Sequence, residues 1–211
     1  MICTNVLTET QIKVLRKIKS LPKESYLVGG TALALQLGHR TSLDFDFYTK
    51  NHFETDLILK NFQRDLGNVE VDRVAKDTLI FTAEGVNISI FYYPHGLIGS
   101  LIAYQEIELA SIEDIAAMKM IAISMRGKRR DFIDAYYLLQ KFTLKKIIEF
   151  TIEKYPSYQP MVILKGLIYF KDAEDEDLSR GIKVLDKNFS WEVAKKRIFE
   201  EVEKYQNSIT L

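Results

Sequence analysis

The sequence predicts an α+β fold, in which a mixed β-sheet with flanking helices is followed by a helical C-terminal half. Three observations carry that expectation. Between Tyr26 and Tyr93 the chain shows short apolar or alternating runs bounded by turn-forming residues, the pattern of strands. Two stretches of good helix formers interrupt those runs. From Ser111 onward the chain reads as mostly helical. The division expected from this is a sheet-bearing core over residues 1–108 and a helical region over 109–211.

Taken in order, Ile12, Leu15 and Ile18 lie at helical spacing within residues 8–20, with Thr8 and Thr10 as caps and Pro22 beyond the end. Tyr26-Leu27-Val28 is a short apolar strand that runs into Gly29-Gly30. Thr31 to Leu37 forms helix readily and is closed by Gly38. Leu43 to Tyr48 alternates in strand fashion, which puts Asp44 and Asp46 on one face. His52 to Leu66 reads as a helix. Strands follow over 69–74, 78–83 and 86–93, with Ala83-Glu84-Gly85 as a hairpin turn. Helices are then expected over 111–124, 130–141, 143–154, about 160–170, and 191–206. Ser111-Ile112-Glu113-Asp114 has the form of a capping box, and the acidic run Asp172 to Asp177 reads as a solvated loop.

Composition narrows the function. At 211 residues the chain is long enough to bury roughly 70% of its unfolded surface, so it needs no disulfide or structural metal to fold. Its 29 basic and 29 acidic residues cancel, so any attraction to nucleic acid has to come from a local patch. The single cysteine, Cys3, excludes a disulfide framework and points to a reducing compartment. No basic start precedes a long apolar run, and no apolar stretch reaches the ~20 residues of a membrane span. A cytoplasmic protein without membrane contact is the expectation.

The chemistry concentrates in two places. Gly29-Gly30 lies between a strand and a helix, where backbone can approach a phosphate and free amides at a helix N-terminus can hold it. Alone, the pair reads more readily as a plain tight turn. Asp44 and Asp46 repel one another on one strand face unless a cation or a basic partner compensates them. Oxygen ligands of that kind suit Mg²⁺ or Mn²⁺. A phosphate-cradling turn about fifteen residues before two such carboxylates forms a unit that could fix a triphosphate and promote in-line attack at phosphorus.

Leu27-Val28-Gly29-Gly30-Thr31-Ala32-Leu33, followed by Leu37-Gly38-His39-Arg40-x-Ser42-x-Asp44-x-Asp46-Phe47, resembles the signature of the AbiEii/AbiGii-type nucleotidyltransferase toxins. These belong to the polymerase-beta-like nucleotidyltransferase superfamily. The resemblance continues at Ser111-Ile112-Glu113-Asp114-Ile115-Ala116-Ala117-Met118-Lys119 and at Arg126-Gly127-x-x-Arg130-Asp131-Phe132-x-Asp134, covering about residues 25–140. It implies the nucleotidyltransferase fold and a metal-dependent enzyme that moves a nucleotidyl group from an NTP to an RNA or protein hydroxyl. Such an enzyme would be the toxin of a bacterial toxin–antitoxin or phage-defence system. The implied partners are an NTP, tRNA or another RNA as acceptor, and a cognate antitoxin protein. The implied roles are triphosphate contact for Gly29, Gly30 and Thr31, metal ligation for Asp44 and Asp46, and support of the phosphates or the site for Lys119. Asp131 would be a polar residue facing the same cleft.

The residues themselves qualify that picture. Lys119 lies amid apolar neighbours, so its ammonium has to reach solvent or meet an acidic partner. Asp131 and Asp134 share a helical face, where either could offset the helix dipole, and Asp134 reads as structural. Arg40 would contact phosphate or neutralise Asp44 and Asp46, and His39 would pack. Superfamily catalysts usually carry a third carboxylate on a later strand. Here that strand holds Ser89 and no acid, with Asp72 on another strand as the acidic candidate. The alternative reading is therefore a nucleotide-binding regulatory or interaction module with impaired catalysis. Arg126-Gly127-Lys128-Arg129-Arg130 would bind an RNA backbone or form a solvated turn, and Tyr92, Tyr93, Tyr136 and Tyr137 would stack on bases or pack.

Overall fold

A computed structural model describes residues 2–174 and 181–209 of the chain. The fold is α+β and divides into two compact units. One comprises the chain up to Gly96 with Ser100–Ala110; the other comprises Leu97–Gly99 with the chain from Ser111 onward.

The first unit begins with a 3₁₀ turn, Thr4–Val6, and helix α1, Glu9–Lys17. Thr8 caps α1 through a reciprocal box with Gln11, and Val14 and Leu15 supply its buried face. Strand β1 (Tyr26–Val28) leads directly into α2 (Gly29–Leu37), which Gly38 ends in the left-handed conformation. Strand β2 (Phe45–Thr49), α3 (Thr55–Leu66) and strands β3 (Val69–Ala75), β4 (Thr78–Ala83) and β5 (Val86–Tyr92) follow, then β6 (Ile102–Tyr104) and β7 (Ile107–Leu109). The seven strands form one mixed sheet in the order β3-β4-β5-β2-β1-β7-β6. β1 runs antiparallel to β2 and parallel to β7, and β2 runs parallel to β5. One face is apolar: Phe45, Phe47, Leu79, Phe81, Ile88 and Ile90 are fully buried, and Phe62 of α3 packs on Phe81 with ring centres 4.9 Å apart. Strand alternation then puts Asp46, Tyr48, Ser89 and Phe91 on the opposite face.

The second unit is helical: α4 (Ile112–Arg126), α5 (Arg129–Leu138), α6 (Leu144–Lys154), α7 (Pro160–Leu167), a single turn α8 (Lys171–Glu174) and α9 (Trp191–Ile209). α4 is buried along most of its length through Ile115, Ala116, Ala117, Met120 and Ile123, and α5, α6 and α7 all contact it. Among the described residues, no helix is long and apolar enough to cross a membrane.

Several boundaries differ from the sequence expectation for definable reasons. α3 starts at Thr55 and not at His52, because the Asp77 carboxylate accepts from the Phe53 amide (3.0 Å) and lies 2.7 Å from the His52 ring, which holds that segment outside the helix. β6 and β7 were not anticipated; at three residues each they are too short to show an alternation. In the acidic run, Asp172 and Glu174 belong to α8. Glu174 is exposed but belongs to a helical turn, where it accepts from Trp191 (3.0 Å) and Lys195 (2.5 Å). Residues 175–177 of that run lie outside the described residues.

Ser111 does cap α4, accepting from the Asp114 amide at 3.0 Å. The Asp114 carboxylate, however, does not complete a box. It accepts from the Ser111 hydroxyl (2.6 Å), from the amides of Ile98 and Gly99 (3.0 Å each), and from the Lys154 ammonium (2.7 Å). Both side chains of the Asp114–Lys154 pair are buried, so each charge depends on the other. Burial pushes the Asp114 carboxyl up, but the bonds from Lys154, Ser111 and the two amides outweigh it and hold it below the ordinary aspartate range.

Lys154→Met is expected to destabilise the protein by about 3–5 kcal/mol at neutral pH, read as a lower urea midpoint. A depressed folded-state pKa gives stability that is complete above the unfolded value of ~3.9 and is lost as pH falls through the folded one. The gap between wild type and variant should therefore be constant at neutral pH and narrow below about pH 4.

Candidate functional site

The first unit gathers six of the residues singled out from the sequence. β2 lies between β1 and β5, with Asp46 in register with Val28 on one side and Ser89 on the other. Val28 is the last residue of β1, so Asp46 stands beside the start of α2. Asp44 lies one residue before β2 and, two positions from Asp46, shares its side of the sheet.

The α2 N-terminus has the features of an anion cradle. Val28, its N-cap, contributes no side-chain cap to the first-turn amides of Gly29, Gly30 and Thr31. Gly29 has φ +69°, a conformation that favours glycine, and a Cβ there would come within 3.1 Å of Asp46 Oδ2. The carboxylate thus approaches the helix terminus as closely as it does because residue 29 has no side chain. At Gly30 a Cβ would overlap the Arg40 guanidinium.

Arg40 is only 1% exposed, and its Nη1 donates to the Thr41 carbonyl at 2.9 Å. It packs under the Gly30 turn. Thr31 is buried too. Its hydroxyl engages the Ser42 hydroxyl (2.7 Å) and the Asp44 carbonyl, which ties α2 to the segment entering β2. What Thr31 presents toward an anion is therefore its amide. His39 is buried, as a packing residue should be.

Lys119 and Asp131 lie in the second unit. The Lys119 ammonium is 2.8 Å from Asp131 and 2.7 Å from Asp134, and Arg126 reaches Asp131 at 3.3 Å. Both carboxylates are fully buried. Burial would raise the Asp131 carboxyl, but the charges of Lys119 and Arg126 prevail and hold it below the ordinary range. Of the two outcomes open to Lys119, it takes the acidic partner.

Other singled-out residues make contacts within the chain. Of the basic cluster, Arg126 is engaged with Asp131, and Arg129 donates to the Ala173 carbonyl (2.9 Å) while its guanidinium lies 4.9 Å from the Trp191 ring centre. Tyr92 stacks on His52 at 4.1 Å, Tyr93 lies 4.4 Å from Tyr48, and Tyr136 and Tyr137 pack with Phe189. Asp72 is on β3, three strands from β2, hence about 14 Å away across the sheet. It cannot share an ion with Asp44 and Asp46. A cavity of about 510 Å³ between the start of α3 and the β3–β4 turn is lined by none of the singled-out site residues.

Among the described residues, no group of three or more His, Cys, Asp or Glu side chains could hold a metal. Two hard carboxylates beside an uncapped helix terminus nonetheless suit Mg²⁺, which is commonly held by one or two carboxylates with water and substrate phosphates supplying the rest. One contact was not anticipated from sequence. Asn87 of β5 donates from Nδ2 to Asp44 Oδ1 at 3.1 Å. No local signal marks it, because it depends on the non-local β2–β5 pairing that sets Phe45 opposite Ile88.

Comparison with known proteins agrees with this geometry. Residues 14–189 match the family model described as nucleotidyl transferase AbiEii toxin, type IV toxin–antitoxin system. The protein aq_aa25 of Aquifex aeolicus (strain VF5) is 36% identical over 178 residues, which is 81% of this chain and 86% of that protein. Among solved structures, the nucleotidyltransferase toxin MenT4 (Rv2826c) of Mycobacterium tuberculosis H37Rv aligns with a TM-score of 0.61 at 13% identity, covering 92% of this chain and 80% of that one. JHP933 of Helicobacter pylori aligns at 0.53 and 16% identity, covering 100% and 98%. The antibiotic-resistance factor ANT(2'')-Ia aligns at 0.52 and 15%, covering 69% and 91%. The shared feature at such identities is the nucleotidyltransferase fold.

Gly29→Ala is expected to cost about 1–2 kcal/mol of stability, because an L-residue at that φ is strained. Thr31→Val should cost about 1 kcal/mol through loss of its two hydrogen bonds. Urea unfolding of the two variants, compared with Gly67→Ala at a left-handed position whose Cβ would meet open space, separates strain from crowding by Asp46.

Proposed function

Because the chain belongs to the family of AbiEii nucleotidyltransferase toxins, we propose that it transfers a nucleotidyl group from an NTP to an RNA or protein hydroxyl, with Asp44 and Asp46 as the ligands of a divalent cation. The observation that carries this reading is the meeting of the uncapped α2 terminus with both carboxylates on one side of the sheet.

In this reading the amides of Gly29, Gly30 and Thr31 bind the anionic triphosphate, helped by the positive end of the α2 dipole. The buried Arg40 supports the turn from beneath and adds positive charge close to it. Asp44 and Asp46 hold Mg²⁺ or Mn²⁺, which supplies screening of triphosphate charge and polarisation of its oxygens. The acceptor hydroxyl attacks the α-phosphorus and pyrophosphate leaves. Lys119 and Asp131 fix α4 against α5; a direct phosphate contact would require the ammonium to leave two buried carboxylates. A toxin of a type IV system implies a cognate antitoxin as partner, and we assign the activity to the cytoplasm and to phage defence. tRNA is one RNA that would present an acceptor hydroxyl. A second reading, nucleotide binding with impaired transfer, draws on Asn87 and Ser89, since β5 holds no carboxylate.

Thermal unfolding with each of the four ribonucleoside triphosphates, with and without Mg²⁺, tests the proposal. A nucleotide at ~100 times its Kd should stabilise the fold by ~2.7 kcal/mol, a rise of roughly 5–10 °C at this chain length. The rise should require Mg²⁺ and vanish in Asp44→Ala. A shift without any labelled product on cellular RNA or protein supports the second reading; no shift with any nucleotide overturns both.

A further inference from the structure

Two residues before Ser89 on β5 stands an amide whose two ends are both engaged. Asn87 sits on β5 beside the entry to β2 and gives its Nδ2 to Asp44 Oδ1 at 3.1 Å. Its other end, Oδ1, accepts from the Thr82 hydroxyl of β4 at 2.8 Å. These partners fix the orientation of the amide. A carboxylate only accepts, so the NH₂ end has to face Asp44, and the carbonyl end is left for the hydroxyl donor. Asp72 Oδ2 stands farther from Thr82, at 3.4 Å.

Resting on the metal-site reading above, we propose that Asn87 is a positioning residue for Asp44: it engages one carboxylate oxygen and thereby orients the other for the cation. A donor to a ligating carboxylate fixes its rotamer, as partners behind metal ligands generally do. Asn87 also leaves the site with two negative charges. An aspartate there would place a third carboxylate at hydrogen-bonding distance from Asp44. Ser89, in register with Asp46, adds no charge either. The strand beside the metal ligands is thus built to align a two-carboxylate site.

Mn²⁺ titration followed by electron paramagnetic resonance, without nucleotide and then with a saturating NTP, provides a readout independent of transfer. Asn87→Ala is expected to weaken Mn²⁺ binding roughly tenfold to a hundredfold. Because Asn87 is exposed, the metal-free melting temperature should stay within a few degrees. Thr82→Val should weaken binding in the same direction and by less. Asn87→Asp should bind Mn²⁺ more tightly than wild type yet melt lower without metal, as three carboxylates repel. Unchanged affinity in Asn87→Ala, while Asp46→Asn abolishes binding, overturns the positioning role and leaves the metal site standing. Wild-type protein that binds no Mn²⁺ under either condition overturns both.

Discussion

Backbone pairing of β2 with β1 on one side and β5 on the other is the constraint from which the site follows. Antiparallel pairing with β1 sets Asp46 opposite Val28, and β1 ends there, so the carboxylate meets the first turn of α2. Parallel pairing with β5 brings Ser89 and Asn87 to the other flank. A slip of one residue would turn Asp44 and Asp46 into the apolar face and Phe45 and Phe47 out of it. The buried phenylalanines hold the register, and the register holds the carboxylates. Packing energy of the core thereby fixes two like charges side by side, an arrangement that strand residues avoid when left to themselves.

The second unit depends on charge in a different way. Asp114 with Lys154, and Lys119 with Asp131 and Asp134, are ionic groups withdrawn from water among apolar helices. Such pairs contribute little net stability over well-packed apolar residues, whereas losing one partner is costly. Their value lies in specifying which helices meet: α4 with α5 through Lys119, and α4 with α6 through Lys154. An all-apolar α4 could slide along its neighbours, while one carrying Asp114 and Lys119 has a single arrangement that satisfies every charge.

Much of this was legible in the sequence. Alternation in Leu43 to Tyr48 put Asp44 and Asp46 on one face, and Gly29-Gly30 between a strand pattern and a helix pattern marked the start of α2. Both are local signals, repeated over a few residues. What escaped is non-local. Nothing near Thr82 or Asn87 in the chain says that β4 and β5 deliver them to Asp44. Arg40 is buried beside Gly30, whose missing side chain leaves room for its guanidinium, and nothing local announces that either. The basic stretch at Arg126–Arg130 looked like a surface for RNA because charge density is visible in a sequence, while Asp131, Glu174 and Trp191, which engage two of its members, come from the folded helices.

The outer border of the sheet has a bearing on how the protein behaves among its own copies. β3 forms that border; its pairing with β4 shifts between Val71 and Arg73, and Glu70, Asp72 and Arg73 are exposed along it. A flat apolar border strand would offer a row of amides and carbonyls to any neighbouring chain. The irregular register and the exposed charges make β3 a poor template for such pairing.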